Sequence, residues 1–228
     1  MPYDDFRFSG YLEQHEVRAV INAIPLVSGH ADRDILLIEL LWQSGARVSE
    51  VLPLTPNDIG MTSVRLINLK QRIALKDENG VTIRDENHRI VKVHDPDATK
   101  EVEISAELCT MLRIFCEEKG MTGDRHVFQG NRNPDLQLSR WYVWYLLNKA
   151  SEKAQIRRFG KKNRKTKGRF KGAYPHLLRH SNAMFLLDHT DNIDLVREHL
   201  GHASVVTTQG YARVKEIKMK ETIREIEW

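Results

Sequence analysis

Residues 175–212 limit the possible folds of this chain more than any other stretch, because they set polar side chains within two apolar helical patterns. Leucine, methionine and phenylalanine recur at helical spacing after Pro175, and isoleucine, valine and leucine recur in the same way over residues 193–200. Pro175 suits the first turn of a helix, and Gly201 follows the second pattern where a left-handed cap is expected. The stretch therefore predicts two helices with buried apolar faces and polar groups near their ends.

Four polar side chains in this stretch point to phosphate chemistry. His176 and Arg179 are three residues apart, so they project from one side of a helix, while His202 follows a helix end and Tyr211 comes nine residues later. An arginine fork matches phosphate oxygens, a histidine can donate or transfer a proton near neutral pH, and a tyrosine hydroxyl can act as a nucleophile. A phosphodiester is the substrate that this set of groups suits.

Several blocks of the sequence resemble one known family. The blocks His176-Leu-Leu-Arg179-His180, Leu200-Gly201-His202 and Thr207-Thr-Gln-Gly-Tyr211 resemble the C-terminal signature of the tyrosine recombinases, the phage integrase family. That family also has an upstream arginine in a Gly-x-Arg-x-Ser-Glu setting, and the chain has Gly45-Ala-Arg47-Val-Ser-Glu50. The resemblance covers residues 12–212 and implies a mainly α (α+β) catalytic domain with a small antiparallel β-sheet.

The resemblance also implies a reaction, namely site-specific DNA recombination by integration, excision, inversion or resolution. Tyr211 would attack a DNA phosphodiester in line, form a 3′-phosphotyrosyl link and release a 5′-hydroxyl, and the hydroxyl of a partner strand would reverse this step. Because the bond energy is conserved, no cofactor and no metal is expected.

The catalytic residues implied by the family pattern can be placed on this sequence. Arg47 and Arg179 would hold the two non-bridging phosphate oxygens, and Glu50 would support Arg47. A lysine in the β-hairpin would protonate the leaving oxygen. Lys70 is the predicted residue for this step, with Lys76 and Lys100 as rivals. The predicted catalytic set is Arg47, Lys70, His176, Arg179, His202 and Tyr211, in which the histidines assist Tyr211 and the phosphate.

Positive charge is concentrated in one short run. The net charge is +4, but residues 157–171 contain nine Lys or Arg and no acid, which leaves 26 basic against 31 acidic residues elsewhere. Such a run commonly grips a nucleic-acid backbone, although it could also be a solvated connector or a localisation signal. The predicted DNA-binding residues are Arg157, Arg158, Lys161, Lys162, Arg164, Lys165, Lys167, Arg169 and Lys171.

The expected organisation is a single catalytic domain over residues 1–228, of which 213–228 form an amphipathic tail helix. The N-terminal DNA-clamping domain usual in the family is expected to be absent, so the chain would be either a catalytic fragment or a minimal enzyme that borrows its clamp from a partner or does without one. The expected partners are double-stranded DNA, further copies of the chain (a tetramer on DNA and a monomer when free), and an accessory protein that supplies the clamp. Whether the tail docks in cis or on a neighbouring protomer stays open.

Composition predicts a cytoplasmic, nucleoid-associated protein. Hydrophobic residues make up 41% and charged residues 29% of the chain, and no apolar run reaches the ~18 residues that a membrane span needs. Cys109 and Cys116 are seven residues apart on a predicted helix, about 10 Å along its axis, which is too far for a disulfide. Both are expected to be free thiols.

Local patterns predict the remaining elements. Helices are expected over residues 12–24, 31–42, 105–120 and 139–154, and strands over 64–69, 81–83, 90–93 and 102–104 around an Asn79-Gly80 turn. A short strand is expected at Val127 and Phe128. The aromatic residues of the fourth helix, Trp141, Tyr142, Trp144 and Tyr145, are expected to pack inside the protein, although Arg140 and Tyr142 could reach phosphates.

Three other functions fit parts of the sequence. A sequence-specific DNA-binding regulator could keep the same fold without the reaction. A zinc metallohydrolase could use His176, His180, His199 and His202, but Leu177, Leu178 and Arg179 offer no glutamate base. A type IB topoisomerase shares the chemistry, but the small size and the Leu-Gly-His block favour a recombinase.

Overall fold

The computed structural model describes residues 11–69, 71–95, 97–156, 158–159 and 170–201. Within these ranges the side chains of residues 94, 158, 159, 170 and 171 are left undescribed. Lys70, Arg157, His202, Tyr211 and the predicted tail helix lie outside the described residues, as do the predicted DNA-binding residues between 161 and 169.

The described chain contains seven α-helices. They are α1 (Gln14–Asn22), α2 (Ala31–Ser44), α3 (Val48–Val51), α4 (Ala106–Glu118), α5 (Arg140–Lys153), α6 (Pro175–Thr190) and α7 (Ile193–Leu200). Ser105 and Ser139 cap α4 and α5, since their hydroxyl oxygens accept the amide protons of Leu108 and Tyr142. Gly45 and Gly201 adopt the left-handed conformation after α2 and α7, as their positions predict.

Helix α2 is the centre of the hydrophobic core. It packs against α6 on one side and α4 on another, while α1 packs against α5. Leu37, Ile38 and Leu40 are fully buried on α2, so this helix is apolar nearly all round, as its sequence predicts. A smaller cluster between α6 and α7 contains Ala183, Met184, Leu187, Val196 and Leu200.

The β-structure is antiparallel throughout the described chain. Strand β1 (Ser63–Ile67) pairs with β4 (Thr99–Glu103) in the register Ser63 to Glu103 and Ile67 to Thr99. Between them, β2 (Arg72–Ala74) pairs with β3 (Lys92–His94). A third pair, β5 (Arg158–Phe159) with β6 (Phe170–Lys171), joins the ends of the basic run. The predicted mainly α (α+β) fold with a small antiparallel sheet is confirmed.

Residues 71–95 form an insertion in the β1–β4 hairpin that we call the three-armed insert. Its arms are the β2–β3 pair, which is the stem, and two short hairpins with turns over residues 77–80 and 85–88. Its stem is closed by the amide of Asp95, which donates to the carbonyl of Gln71. The expected strands over residues 81–83 and 90–93 were wrong as continuous strands: residues 82 and 84 make only isolated bridges, to 76 and 90, and β3 begins at Lys92. The chain turns too often here for long strands, because two turns over residues 77–80 and 85–88 interrupt it.

In the described chain, the other predicted helices and strands form with shifted ends, except for the short strand expected at Val127 and Phe128. Val127 and Phe128 are fully buried, but they bond to loop residues and form no strand in the described structure. Both Cys109 and Cys116 are buried free thiols, as predicted, and burial raises the pKa of Cys116 to about 11. Among the described residues, no helix is long and apolar enough to cross a membrane.

Candidate active site

Arg47, Glu50 and Lys100 form a bonded cluster at the N-terminus of α3. Arg47 is the residue before the helix, and its guanidinium Nη1 lies 3.0 Å from Oε1 of Glu50. The Lys100 Nζ, which comes from β4, lies 2.8 Å from the other carboxylate oxygen of Glu50. Glu50 is 2% exposed, so a buried carboxylate holds two cations from distant parts of the chain in fixed positions.

The environment of Glu50 keeps it ionised. Burial by itself raises the pKa of this carboxyl group. The hydrogen bond and charge of Lys100, followed by the backbone and guanidinium of Arg47, outweigh burial and hold the pKa of Glu50 below its ordinary value. The expected pairing of Arg47 with Glu50 is therefore present, and Glu50 also binds a lysine.

Arg179 connects this cluster to the end of α7. It is 5% exposed, and its Nη1 and Nη2 donate to the carbonyl oxygens of Gly45, at 2.5 Å, and Leu200, at 2.8 Å. Gly45 is two residues before Arg47, and Leu200 is two residues before His202. One buried guanidinium thus holds together the two segments that lead to predicted catalytic residues.

The turn at Gly45 strongly favours a residue without a side chain. Its φ is +56°, and a Cβ placed on it would come within 2.5 Å of both Asn182 Oδ1 and Leu200 Cδ2. Helices α6 and α7 therefore approach the backbone of the turn closely. This contact fixes the position of Arg47, which directly precedes α3.

His199, on α7, lies in the same region. Its Nε2 is 3.2 Å from the Gln43 carbonyl oxygen, so that nitrogen carries the proton and donates. Burial lowers the pKa of His199, the bond to Gln43 acts in the opposite direction, and the charges of Lys100 and Arg179 lower the pKa further. The imidazole is therefore held neutral beside two cations.

Two clefts flank the cluster. The first, of about 690 Å³, is lined by Arg47, by the exposed His176 and by residues of α5 that include Arg140 and Trp144. The second, of about 520 Å³, is lined by Glu50, Lys100, His199 and Gly201. Because Arg47 lines one cleft and Glu50 the other, their ion pair lies between the two.

The aromatic residues of α5 do not all pack inside as expected. Trp141 is 66% exposed and Trp144 is 47% exposed, and both line the first cleft. Val143, Leu146 and Leu147 occupy the buried side of the helix instead. Tyr142 turns inward and donates its hydroxyl proton to Asp34, which also binds Arg33. Packing was therefore predicted correctly for Tyr142 and wrongly for the two tryptophans and for Tyr145, which is 40% exposed.

The structure brings together some of the predicted residues. Arg47, Glu50, His176 and Arg179 lie around the first cleft and the Gly45 turn, and Lys100, one of the two rival lysines, lies in the same cluster. Lys76, the other rival, is an exposed residue of the three-armed insert. Among the described residues, no three His, Cys, Asp or Glu side chains are placed to hold a metal ion.

Comparison with known proteins identifies the family of this chain. A family model described as the phage integrase family matches residues 10–217. The chain belongs to that family.

Relatives within the family include tyrosine recombinase XerA of Thermococcus onnurineus, 28% identical over 203 residues, which cover 89% of this chain and 57% of that protein. Tyrosine recombinase XerD of Corynebacterium glutamicum is 29% identical over 220 residues, which cover 93% of this chain and 60% of that protein. The chain thus spans less than two thirds of the length of either relative. The crystal structure of XerA recombinase has a TM-score of 0.62 to this structure at 20% identity, with coverage of 96% of this chain and 66% of that one, and so shares its fold.

Two residues that pack near the Gly45 turn, His199 and Asn182, were not predicted from the sequence. The sequence pattern gave His199 no catalytic role in a recombinase, and Asn182 was not considered. The position of His199 directly before the Leu-Gly-His block was the available signal, since Gly201 ends α7 and so places the preceding turn next to Arg179.

Proposed function

We propose that this chain carries the strand-cleavage site of a site-specific DNA recombinase and forms a 3′-phosphotyrosyl intermediate with DNA. The observation that supports this most is the linkage of Arg47 and Arg179 through the Gly45 turn, next to a lysine that shares a carboxylate with Arg47. Three cations fixed around Glu50 and the Gly45 turn form a preorganised site for a phosphate whose charge grows during the reaction.

Within this proposal each residue has a separate task. Arg47 and Arg179 hold the two non-bridging oxygens of the scissile phosphate. His176, exposed in the cleft beside Arg47, accepts the proton of the nucleophile or donates a hydrogen bond to the phosphate. Tyr211 is the nucleophile and His202 a further phosphate donor; both roles remain predictions from the family pattern.

The general acid is a lysine of the hairpin. Lys70 was predicted, and Lys100 now has a specific argument, because Glu50 holds its Nζ in the same cluster as Arg47. A DNA substrate in which sulfur replaces the bridging 5′ oxygen of the scissile phosphate distinguishes the two lysines. The thiolate leaving group needs no proton from an acid. Replacing the true general acid by alanine should abolish cleavage of ordinary DNA but not of the sulfur-substituted DNA, whereas the other lysine variant should not show this rescue.

The proposal includes the partners expected from the sequence. Double-stranded DNA is the substrate, the reaction takes place in a homo-oligomer on that DNA, and an accessory protein contributes to clamping it. Action on DNA places the protein in the cytoplasm with the nucleoid. The predicted single catalytic domain is the unit that carries the site.

The experiment is a cleavage assay on duplexes selected from a random library for binding, then nicked close to each candidate cleavage position. We expect a covalent protein–DNA product with the wild type, and loss of at least about 100-fold in its rate with Arg47→Gln or Arg179→Gln. Arg113→Gln, at a half-buried position on α4 that lines neither cleft, is the matched control and should retain the wild-type rate. Tight binding without any covalent product would identify a DNA-binding regulator instead.

A further inference from the structure

The three-armed insert is built on an internal repeat. The segments Leu75-Lys-Asp-Glu-Asn-Gly80 and Ile83-Arg-Asp-Glu-Asn-His88 are eight residues apart, and Val91-Lys92 follows after eight more. The amide of each first residue bonds to a carbonyl of another: Leu75 to Val91 at 2.8 Å, Ile83 to Leu75 at 2.8 Å, and Val91 to Ile83 at 3.0 Å. This closed ring gives the insert an approximate three-fold symmetry.

The cross-strand pairs have the same symmetry. Lys76 pairs with Thr82, Arg84 with Ile90, and Lys92 with Ala74. Each cation follows a ring residue directly. Because side chains alternate between the two sides of a strand, the three cations share one side, and the ring residues Leu75, Ile83 and Val91 share the other.

The cations on this side are exposed and not neutralised. Lys76, Arg84 and Lys92 take part in no ion pair among the described residues, although Arg84 Nη1 donates to the carbonyl oxygen of His88 at 2.9 Å. We call this side the cationic face.

Two of the five acidic residues of the insert are bound within its turns. Asp77 accepts the amide protons of Asn79 and Val81, and Asp85 accepts those of Asn87 and Arg89, so both carboxylates are tied to the turns at the arm tips. These two carboxylates are therefore engaged by backbone amides of the turns and form no ion pair with Lys76, Arg84 or Lys92 among the described residues.

The insert is also placed next to the proposed cleavage site. Its stem continues from β1 and β4, and β4 carries Lys100, which is bound to Glu50. A DNA strand whose phosphate reached the Arg47 cluster would have further phosphates within reach of a structure that projects from this hairpin.

We propose that the cationic face of the three-armed insert binds backbone phosphates of the DNA that flanks the scissile phosphate. This inference rests on the proposed function for the location of the DNA. Lysine and arginine contacts of this type carry no sequence information, but they position the duplex and contribute affinity that depends on salt.

The test is the salt dependence of binding to a random-sequence duplex of about 40 base pairs, long enough to reach beyond the cleavage site on both sides. The variant is Lys76→Gln, Arg84→Gln and Lys92→Gln together. Its matched control neutralises three exposed lysines on or next to α4 and α5, by Lys119→Gln, Lys149→Gln and Lys153→Gln. We expect the slope of log affinity against log salt to fall by about 2 to 3 for the insert variant, at about 0.9 per neutralised phosphate, and to change less for the control. Equal slopes for wild type, insert variant and control would overturn the inference.

A second variant controls for the possibility that the triple substitution changes the slope by disturbing the fold. Replacing residues 75–91 by Asn-Gly leaves Ala74 and Lys92 joined by a two-residue hairpin turn. We expect this variant to unfold at the wild-type temperature and to show a slope reduced by about 2, because Lys76 and Arg84 are removed and Lys92 is kept. A wild-type slope in a folded deletion variant would also overturn the inference.

The outcomes separate this inference from the proposed function. A covalent DNA product with an unchanged slope would support strand cleavage and overturn the DNA contact of the insert. A reduced slope without any covalent product would support the DNA contact and contradict the proposed reaction. If the substitutions instead abolish self-association measured by ultracentrifugation without DNA, and the slope is unchanged, the face binds a second copy and the inference is wrong.

Discussion

At the scale of single residues, the candidate site depends on one buried carboxylate and one glycine. Glu50 is the shared partner of Arg47 and Lys100, and both of its oxygens are used. Gly45 allows the backbone to pass between Asn182 and Leu200. Neither residue would touch the DNA in the proposed reaction, yet together they position three side chains that would.

The first prediction concerns the charge of Glu50. In Glu50→Gln the shape of the side chain is kept, but two cations lose the charge that offsets them, so the free energy of unfolding should fall by about 2 kcal/mol. Urea denaturation measures this. Glu152→Gln, which removes an exposed partner of Lys149, is the control and should change stability by less than about 0.5 kcal/mol. A loss no larger than that of the control would show that the cluster does not depend on this charge.

The second prediction separates backbone conformation from close packing at Gly45. Gly45 and Gly123 have similar φ values, +56° and +65°, but a Cβ at Gly123 would meet nothing within 4 Å. Gly45→Ala should therefore destabilise the protein more than Gly123→Ala, by on the order of 1 to 3 kcal/mol, because only the former forces Asn182 and Leu200 apart. Thermal unfolding of the two variants measures this difference, and equal losses would contradict the close packing.

At the scale of elements, the sequence predicted helices well and the hairpin poorly. Apolar periodicity and serine caps located α4 and α5 to within a residue or two, because both signals are local. The arrangement of β2, β3 and the arms depends on a ring of bonds between residues 75, 83 and 91, and the Asn79-Gly80 turn signal marked only one arm. The repeat with a spacing of eight was the signal that could have revealed the arm with the turn over residues 85–88.

The exposure of Trp141 and Trp144 was missed because aromatic content alone does not say which side of a helix is buried.

The third prediction uses the position of α7 against the turn. The pKa of His199 is lowered in the folded protein, whereas in the unfolded chain it is about 6.5. Below about pH 6.5 the unfolded state therefore takes up a proton that the folded state resists, and stability should fall as the pH falls. His199→Gln should make this decrease shallower between about pH 7 and pH 5, as measured by urea denaturation across that range.

The control for this prediction is His15→Gln, at an exposed position on α1. It should leave the pH profile of the wild type unchanged. A His199→Gln profile that coincides with that of the wild type would show that His199 does not oppose folding when it is protonated.

At the scale of the whole molecule, the candidate site combines segments from the start, middle and end of the described chain. Arg47, Lys100 and Arg179 are far apart in sequence and meet around the Gly45 turn and α3. The family pattern predicted that the two arginines come together. Which lysine joins them could not be read from the sequence, since it depends on the register of β1 with β4 across an insert of unusual geometry.

The fourth prediction concerns the basic run of residues 157–171, whose ends are paired as β5 and β6. Replacing its nine Lys and Arg residues by Gln should weaken binding to a random-sequence duplex and reduce the salt slope by about 0.9 for each phosphate that the run neutralises. Titrations at several salt concentrations measure both effects. An unchanged slope would remove this run from the DNA interface.

The central claim is that the clustered cations serve a tyrosine that attacks DNA, and it is tested most directly by identifying the attached residue. The full chain is incubated with a nicked duplex that carries its binding site, digested with protease and nuclease, and the nucleotide-bearing peptide is sequenced by mass spectrometry. The account predicts a 3′-phosphate linked to Tyr211, a free 5′-hydroxyl on the released strand, and no adduct in Tyr211→Phe. A product attached to another residue, a 5′-phosphate link, or an adduct that persists in Tyr211→Phe would contradict it.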